Sequence, residues 1–565
     1  MDLILVGACL AIIIWLYFYN NPLRHGQWFM VRRFINWFPL GMTYSFLYMG
    51  RYNLNVSKNA LGSLMTKEDF GTIFAVGTVV YGFSFLFNGP LVDKIGGKKG
   101  ILVAAIGSSL ANVLLGVLTY LTVMGRLKVN MVAAYSVLYA LNMYFQSYGA
   151  VSIIKVKAYW FHVRERGMFG AIFGSLISMG VYFSFDWGTR IVELTRAGST
   201  GGWFHDLLQR LFASNVRVDG KLVDATWAVF FIPAIIMVFW MVIDLWLIKD
   251  TPEEASFPHF DTHDASSGQM HIELSTLDLL KKVFANKLML LIALIGLTSG
   301  VFRNGIQNWY FIFAAEVKQP GAEFFKEHWG LLLCIFGIIG GFLGGWISDR
   351  FCQSRRAPPA AMFSVLVLFL AVLMALFLFA SPLFVGCAAV LIVMASVGLT
   401  SLMAGSAATD FGGRKATATC SGIVDGCTYL GSGIQSFFIG HLLPAESVVA
   451  AQTFLFLPRS WHWWPLFMVP FAFLGLIVAI KIWHALPEAT RQYNAGVGEA
   501  QHAKEHVAIE REILTLFTIV GVATFLLLSV PTKGVVPGGF LGGVLGGLLG
   551  GCAGAFVNFV RRKRR

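Results

Sequence analysis

Two arginines stand inside long apolar stretches of this 565-residue chain, Arg51 and Arg303. A guanidinium in a membrane interior costs about 3 kcal/mol or more unless it faces water or a partner, so each is read first as a binding group. Around the first, Tyr44, Tyr48, Arg51 and Asn55 recur at helical spacing and form one stripe. Around the second, Arg303, Gln307 and Tyr310 repeat the pattern. A guanidinium stays charged at any relevant pH and presents a planar fork of N–H donors that matches the oxygens of an anion. Two such stripes, one in each half of the chain, predict an anion-binding cavity between two helical bundles. The competing reading is that each arginine snorkels to a lipid headgroup.

Asp425, with Tyr429 and Ser432 one and two turns on, is an acid within another apolar run. A dry site favours the protonated acid, so Asp425 is a candidate proton carrier or the partner of a substrate cation. The alternative is a structural acid, hydrogen-bonded to neighbouring helices or paired with an arginine. Lys155 and Lys157 either add positive potential near the inner mouth of the cavity or snorkel to the aqueous phase. Asp186 and Asp244 fall near span ends and are expected to be wet. The seven cysteines lack the spacing of a metal site or a disulfide framework and read as small core residues. Nor does the sequence carry a Ser-His-Asp arrangement, a phosphate-binding loop or a metal cluster. The expectation is therefore no enzyme, no cofactor and no metal.

The elements that must position these groups are transmembrane helices. The chain is 56% hydrophobic and 13% charged, against about 25% charged for a soluble domain. Apolar runs of roughly 20 residues recur along its whole length, which predicts an all-α integral membrane protein. The first run spans 3–19 and reads as a retained helix, because it has neither a basic leader nor a cleavage site. Twelve core runs follow, and the last two lie at 512–530 and 536–559. The organisation expected is an extra helix in 1–30, a bundle of six in 31–249, a linker in 250–285, a second bundle in 286–490 and two extra helices in 491–565. Leu277 to Val283 could form a short interfacial helix in the linker.

The formal net charge of +13 comes largely from short loops. Arg32 and Arg33, Lys98 and Lys99, Arg164 and Arg166, Arg355 and Arg356, and the terminal Arg561 to Arg565 are separated by even numbers of spans. They are topogenic charges rather than a nucleic-acid surface, and they place the C-terminus in the cytoplasm. On the opposite side, residues 190–225 form an insertion. Within it, the spacing of Trp203, Leu207, Leu208 and Leu211 predicts an amphipathic surface helix.

Gly89 to Lys99 carries Asp93, Lys94 and Gly96 after the third run, and Gly344 to Arg350 carries Asp349 and Arg350 at the matching place of the second half. Glycine permits close helix approach, and an acid followed by bases at a helix end can latch a neighbour by charge and dipole. Two matching copies resemble the loop motif of the major facilitator superfamily, with its two bundles related by an axis along the membrane normal. The stretches Tyr48 to Asn53, Asn142 to Gly149, Trp160 with Arg164 to Gly167, Lys249 to Pro252, Arg303 to Trp309 and Tyr429 to Gly431 resemble, more narrowly, the organophosphate:phosphate antiporter family. That family includes glycerol-3-phosphate and hexose-6-phosphate transporters and a related sensor.

The resemblance implies that Arg51 and Arg303 grip a phosphoryl group, with Tyr44, Tyr48, Gln146, Gln307 and Tyr429 lining the site. It also implies residence in a bacterial inner membrane and exchange of a phosphate ester for inorganic phosphate. Phe85 and Ile177 stand where the glycerol-3-phosphate transporter has a lysine and a histidine, which favours a larger or more apolar substrate. Two alternatives stay open: a sensor that binds the same ligand without moving it, and movement of a lipid-linked phosphate. The last run, with glycine pairs from Gly538 to Gly551, predicts a smooth stripe for a homodimer seam or a partner helix.

Overall fold

A computed structural model describes residues 2–19, 21, 23–162, 165–218, 221–222, 225–260, 281, 284–317, 320–352, 355–407, 417–444 and 459–485. Backbone groups inside a bilayer must bond within their own segment, so spans of this composition become helices. After α1 (Asp2–Tyr19), the first group comprises α2 (Gln27–Leu61), α3 (Lys67–Ile95), α4 (Gly97–Val123), α5 (Met131–Trp160), α6 (Arg166–Tyr182), α7 (Gly188–Thr195), α8 (Trp203–Phe212) and α9 (Ala228–Leu247). The second comprises α10 (Lys287–Val317), α11 (Pro320–Glu327), α12 (Trp329–Phe351), α13 (Ala357–Leu376), α14 (Pro382–Thr400), α15 (Thr417–Leu442) and α16 (Trp463–Lys481). Arg217–Val218 and Lys221–Leu222 form a short antiparallel ladder, the only strands among the described residues.

Local chemistry sets the helix ends. Thr66 and Asp69 form a reciprocal capping box at the start of α3. Asn130 caps α5 by accepting from the Ala133 N–H at 3.0 Å. Gly96, at φ +92°, lets α3 end and α4 begin in a single residue. A π turn, Phe183–Trp187, joins α6 to α7, and a second, Ser401–Ala407, extends α14. Such turns realign side chains within a span.

Eight of the described helices are long and apolar enough to cross a membrane by length and composition. The helices α2, α5 and α15 are not among them, and these bring Arg51, Gln146 and Tyr429 together.

The two groups meet along α3 with α15, α6 with α12 and α2 with α10. Small residues make this possible. A side chain at Gly71 would strike the backbone of Ser436 and Gly440, and one at Gly82 the Gly426 carbonyl. Several polar bridges lie toward the end opposite the basic loops. Lys67 Nζ sits 2.7 and 2.8 Å from the two Glu316 oxygens, and Asn59 Nδ2 donates to the Phe311 carbonyl at 3.3 Å.

Asp186 and Asp244 depart from expectation, since neither is simply wet. The π turn carries Asp186 across to the other group, where it accepts the backbone N–H groups of Gly330 and Leu331 at 2.7 and 2.9 Å and caps α12. Asp244 is fully buried and accepts from Thr43 Oγ1 at 2.5 Å, because α9 packs this face against α2. The amphipathic helix exists as α8, but its apolar residues serve two faces: Leu208 is buried, while Trp203, Leu207 and Leu211 are exposed.

The extra helix α1 is tied to the first group at the basic end. Tyr17 donates to the Met30 carbonyl at 2.9 Å and accepts from Arg33 Nε at 3.0 Å. The segment expected at Leu277–Val283 is largely outside the described residues, as are the C-terminal segments where two further helices and a glycine stripe are expected.

Candidate functional site

Arg51 is completely buried, and its side-chain contacts come from four helices, its own included. From α5, Gln146 Oε1 accepts its Nε at 2.8 Å. From α15, the Tyr429 hydroxyl accepts its Nη1. Tyr48, Tyr81 and Tyr429 present ring faces to the guanidinium at 4.4, 4.4 and 5.2 Å. Aromatic faces attract a cation without neutralising it, and Nη2 has no protein partner among the described residues. A buried, charged donor with spare hydrogen-bonding capacity has the chemistry that anion recognition requires.

A second layer holds the first. Gln146 Nε2 donates to Asn142 Oδ1 at 3.1 Å, Asn142 donates to the Gly50 carbonyl at 2.9 Å, and Tyr139 donates to the Arg51 carbonyl at 3.1 Å. Together they fix both the side chain and the backbone of the arginine.

Arg303 approaches from the other group. Tyr48, Tyr52 and Tyr429 lie in its electrostatic range. Tyr48 and Tyr429, from opposite groups, have their hydroxyls 3.5 Å apart. Asp425 lies within the field of both arginines. One acid against two guanidiniums leaves a net positive centre.

Tyr44 packs edge-on against Tyr48, with ring centroids 5.3 Å apart. Gln307 is buried beside Tyr52, and its Nε2 has no partner among the described residues. Tyr310, third on the stripe of Arg303, turns away. Its ring packs at a tilt on Trp329, with centroids 4.4 Å apart, and lies near Phe325 and Trp464, because helical advance carries it into the interior of its own group.

Phe85 packs edge-on against Tyr81, with ring centroids 4.8 Å apart, and Ile177 is half-buried. Tyr52, Tyr81, Tyr139 and Asn304 were not among the expected site residues, although Tyr52 and Asn304 fall within the motif stretches. Tyr52 OH donates to Asn304 Oδ1 across the groups at 3.0 Å. The aromatic pair Tyr81 and Phe85, one turn apart on α3, was the available signal for that wall.

The lysines lie elsewhere. Lys155 places its ammonium over the Tyr159 ring at 5.7 Å and in range of Asp250 at the basic end. Lys157 is half-buried in the last turn of α5. In the loop motif, Lys94 is exposed and Gly96 makes the turn, while the side chains of Asp93, Asp349 and Arg350 lie outside what is described. Asp250, which follows α9, accepts the Lys98 N–H at 2.7 Å at the N-terminus of α4. Burial pushes its carboxyl up, and the backbone donors of Lys98 and Gly97 act in the opposite direction.

A polar centre between two packed groups of spans defines a two-bundle membrane transporter fold. The chain matches the model of the Major Facilitator Superfamily over residues 40–436, and it belongs to that family. It is 25% identical to the "Glycerol-3-phosphate transporter" of Bacillus subtilis (strain 168), over 70% of this chain and 85% of that protein. It is 21% identical to a "Probable hexose phosphate transport protein" of Chlamydia trachomatis, over 76% and 85%. It is 22% identical to the "Membrane sensor protein UhpC" of Salmonella typhimurium, over 75% and 85%. These relatives are transporters and a sensor rather than enzymes, and all belong to the organophosphate:phosphate antiporters that the motifs resemble. A solved structure of a bacterial homologue of the human lysosomal transporter Spinster shares the fold, with a TM-score of 0.59 at 13% identity, covering 81% of this chain and 98% of that one.

Proposed function

We propose that this protein exchanges an anionic phosphate ester for inorganic phosphate across a bacterial inner membrane, by rocking of its two bundles about a central site. The observation that carries the reading is that Tyr48 and Tyr429, one from each bundle, meet at Arg51 with their hydroxyls 3.5 Å apart, in the electrostatic range of Arg303. An anion held by both arginines would link the bundles, so binding and rocking would be coupled. Tyr44, Gln146 and Gln307 complete the substrate wall in this reading, Asp425 adds a titratable group, and Lys155 and Lys157 raise the potential at the basic mouth. The polar bridges of Lys67 and Asn59 lie at the far end, which supports a cavity facing the basic loops. By the charge rule that side is the cytoplasm, and the C-terminus lies there too.

The test is uptake of labelled phosphate esters into proteoliposomes loaded with inorganic phosphate. Uptake that requires internal phosphate supports exchange, and uptake indifferent to it refutes exchange. The likeness to a membrane sensor protein favours one second reading, binding without flux. Saturable ligand binding with no counterflow would establish it.

A further inference from the structure

Helix α8 lies between α7 and α9, at the end of the molecule opposite the basic loops. At about 100° per residue, its ten residues divide into three faces. His205, Leu208 and Phe212 point to the protein. His205 Nε2 lies 2.7 Å from Ser199 Oγ, and Gln209 Nε2 donates to the Arg196 and Ser199 carbonyls at 2.8 and 3.1 Å. Trp203, Phe204, Leu207 and Leu211 occupy an adjoining arc and are 79%, 52%, 43% and 64% exposed. Asp206 and Arg210 form the third strip, also exposed.

A helix with separate protein, apolar and charged faces suits a position where all three media meet. The location of α8 supplies them. Phe212 stacks on Phe231, with ring centroids 6.1 Å apart, in the first turns of α9. From Phe231 onward, the exposed Ile235, Phe239 and Val242 continue at helical spacing, the lipid-facing stripe of that span. The apolar arc of α8 therefore adjoins the lipid-facing surface of α9. We infer that α8 is an interfacial helix, with Trp203, Phe204, Leu207 and Leu211 seated in the headgroup–acyl boundary of the leaflet at this end.

The probe is a nitroxide attached to Leu207→Cys, Leu211→Cys, Asp206→Cys or Arg210→Cys. The full chain is studied in vesicles of phosphatidylethanolamine and phosphatidylglycerol, and the spectrum of the labelled parent is subtracted. Labels at 207 and 211 should collide with oxygen in preference to a nickel chelate, at a depth of roughly 5–10 Å, and those at 206 and 210 should show the reverse. Equal nickel exposure at all four positions would overturn the proposal. So would shielding of 207 and 211 from both reagents, which would mean that a second copy or residues 486–565 cover the face. Independently, lipids brominated near the headgroup should quench a fluorescence component that is missing from Trp203→Phe. No difference between the two chains would refute the interfacial placement.

Discussion

Lys67 and Glu316 meet across the two bundles, with the ammonium 2.7 and 2.8 Å from the two carboxylate oxygens. Trp461 donates to the same carboxylate at 3.2 Å and lies under the ammonium at 5.1 Å. Lys67 is buried and Glu316 partly so, and removing one partner of such a pair leaves an uncompensated charge, at a cost below the roughly 3–5 kcal/mol of a fully buried pair. Glu316→Gln should therefore favour the conformer open at this end. Alkylation of Asn59→Cys by a membrane-impermeant maleimide should then speed up by about tenfold or more, since 1.4 kcal/mol corresponds to a factor of ten. An unchanged rate would mean that the pair does not hold this end closed.

Arg51→Lys and Arg303→Lys keep the charge and lose the fork. A point charge cannot reproduce two parallel N–H donors to one phosphate. Each variant should bind inorganic phosphate about tenfold or more weakly, as read by equilibrium binding. Near-normal affinity in both would sink the shared-phosphate assignment.

Gln146→Leu removes the acceptor that orients Nε of Arg51. A hydrogen bond to a charged group contributes about 1.5–3 kcal/mol, so phosphate affinity should fall by about tenfold while the melting temperature changes little. If affinity holds and stability drops, Gln146 is only a packing residue.

Asp425 lies in the field of both arginines. If it carries a proton during exchange, Asp425→Asn should flatten the pH dependence of uptake and leave phosphate binding largely intact. An unaltered profile with poor expression would identify a structural acid.

Arg33 and Glu165 form two hydrogen bonds of 2.8 and 3.0 Å, with His25 3.2 Å from the same carboxylate. Burial opposes the charged form of Glu165, but the hydrogen bonds and charges of His25 and Arg33 outweigh it and bring the carboxyl from 4.5 down to about 2. The folded state binds this proton less readily than the unfolded state does. The contribution is thus full above pH 4.5 and is lost as pH falls toward 2. Glu165→Gln should lower the melting temperature at pH 7 and remove this part of the acid-side decline. Identical acid profiles in the two proteins would contradict the assignment.

How far the sequence reaches depends on which neighbours a residue needs. Composition and run length alone determined an all-helical membrane protein, because a lipid-embedded backbone has few ways to satisfy its hydrogen bonds. Intramembrane charge picked out Arg51, Arg303 and Asp425, because such groups are too costly to place without purpose. Helical spacing identified Tyr44, Tyr48 and Gln307 as companions along single helices.

Spacing failed where the partner lay on another helix. It kept Tyr310 on the stripe of Arg303, whereas packing turned it toward Trp329. Asp186 and Asp244 looked wet because their span ends are near, yet α12 and Thr43 claim them. Position along one chain cannot report what a crossing helix brings. The sequence by itself determined that two cations within apolar runs must be accommodated. Only the tertiary structure decided that Gln146 on α5 and Tyr429 on α15 hold Arg51, that Tyr48 lies in the electrostatic range of Arg303, and that Asp250 accepts the Lys98 N–H at the turn into α4. Those assignments depend on which helix faces cross and at what depth, and the packing of small residues such as Gly71 and Gly82 sets both.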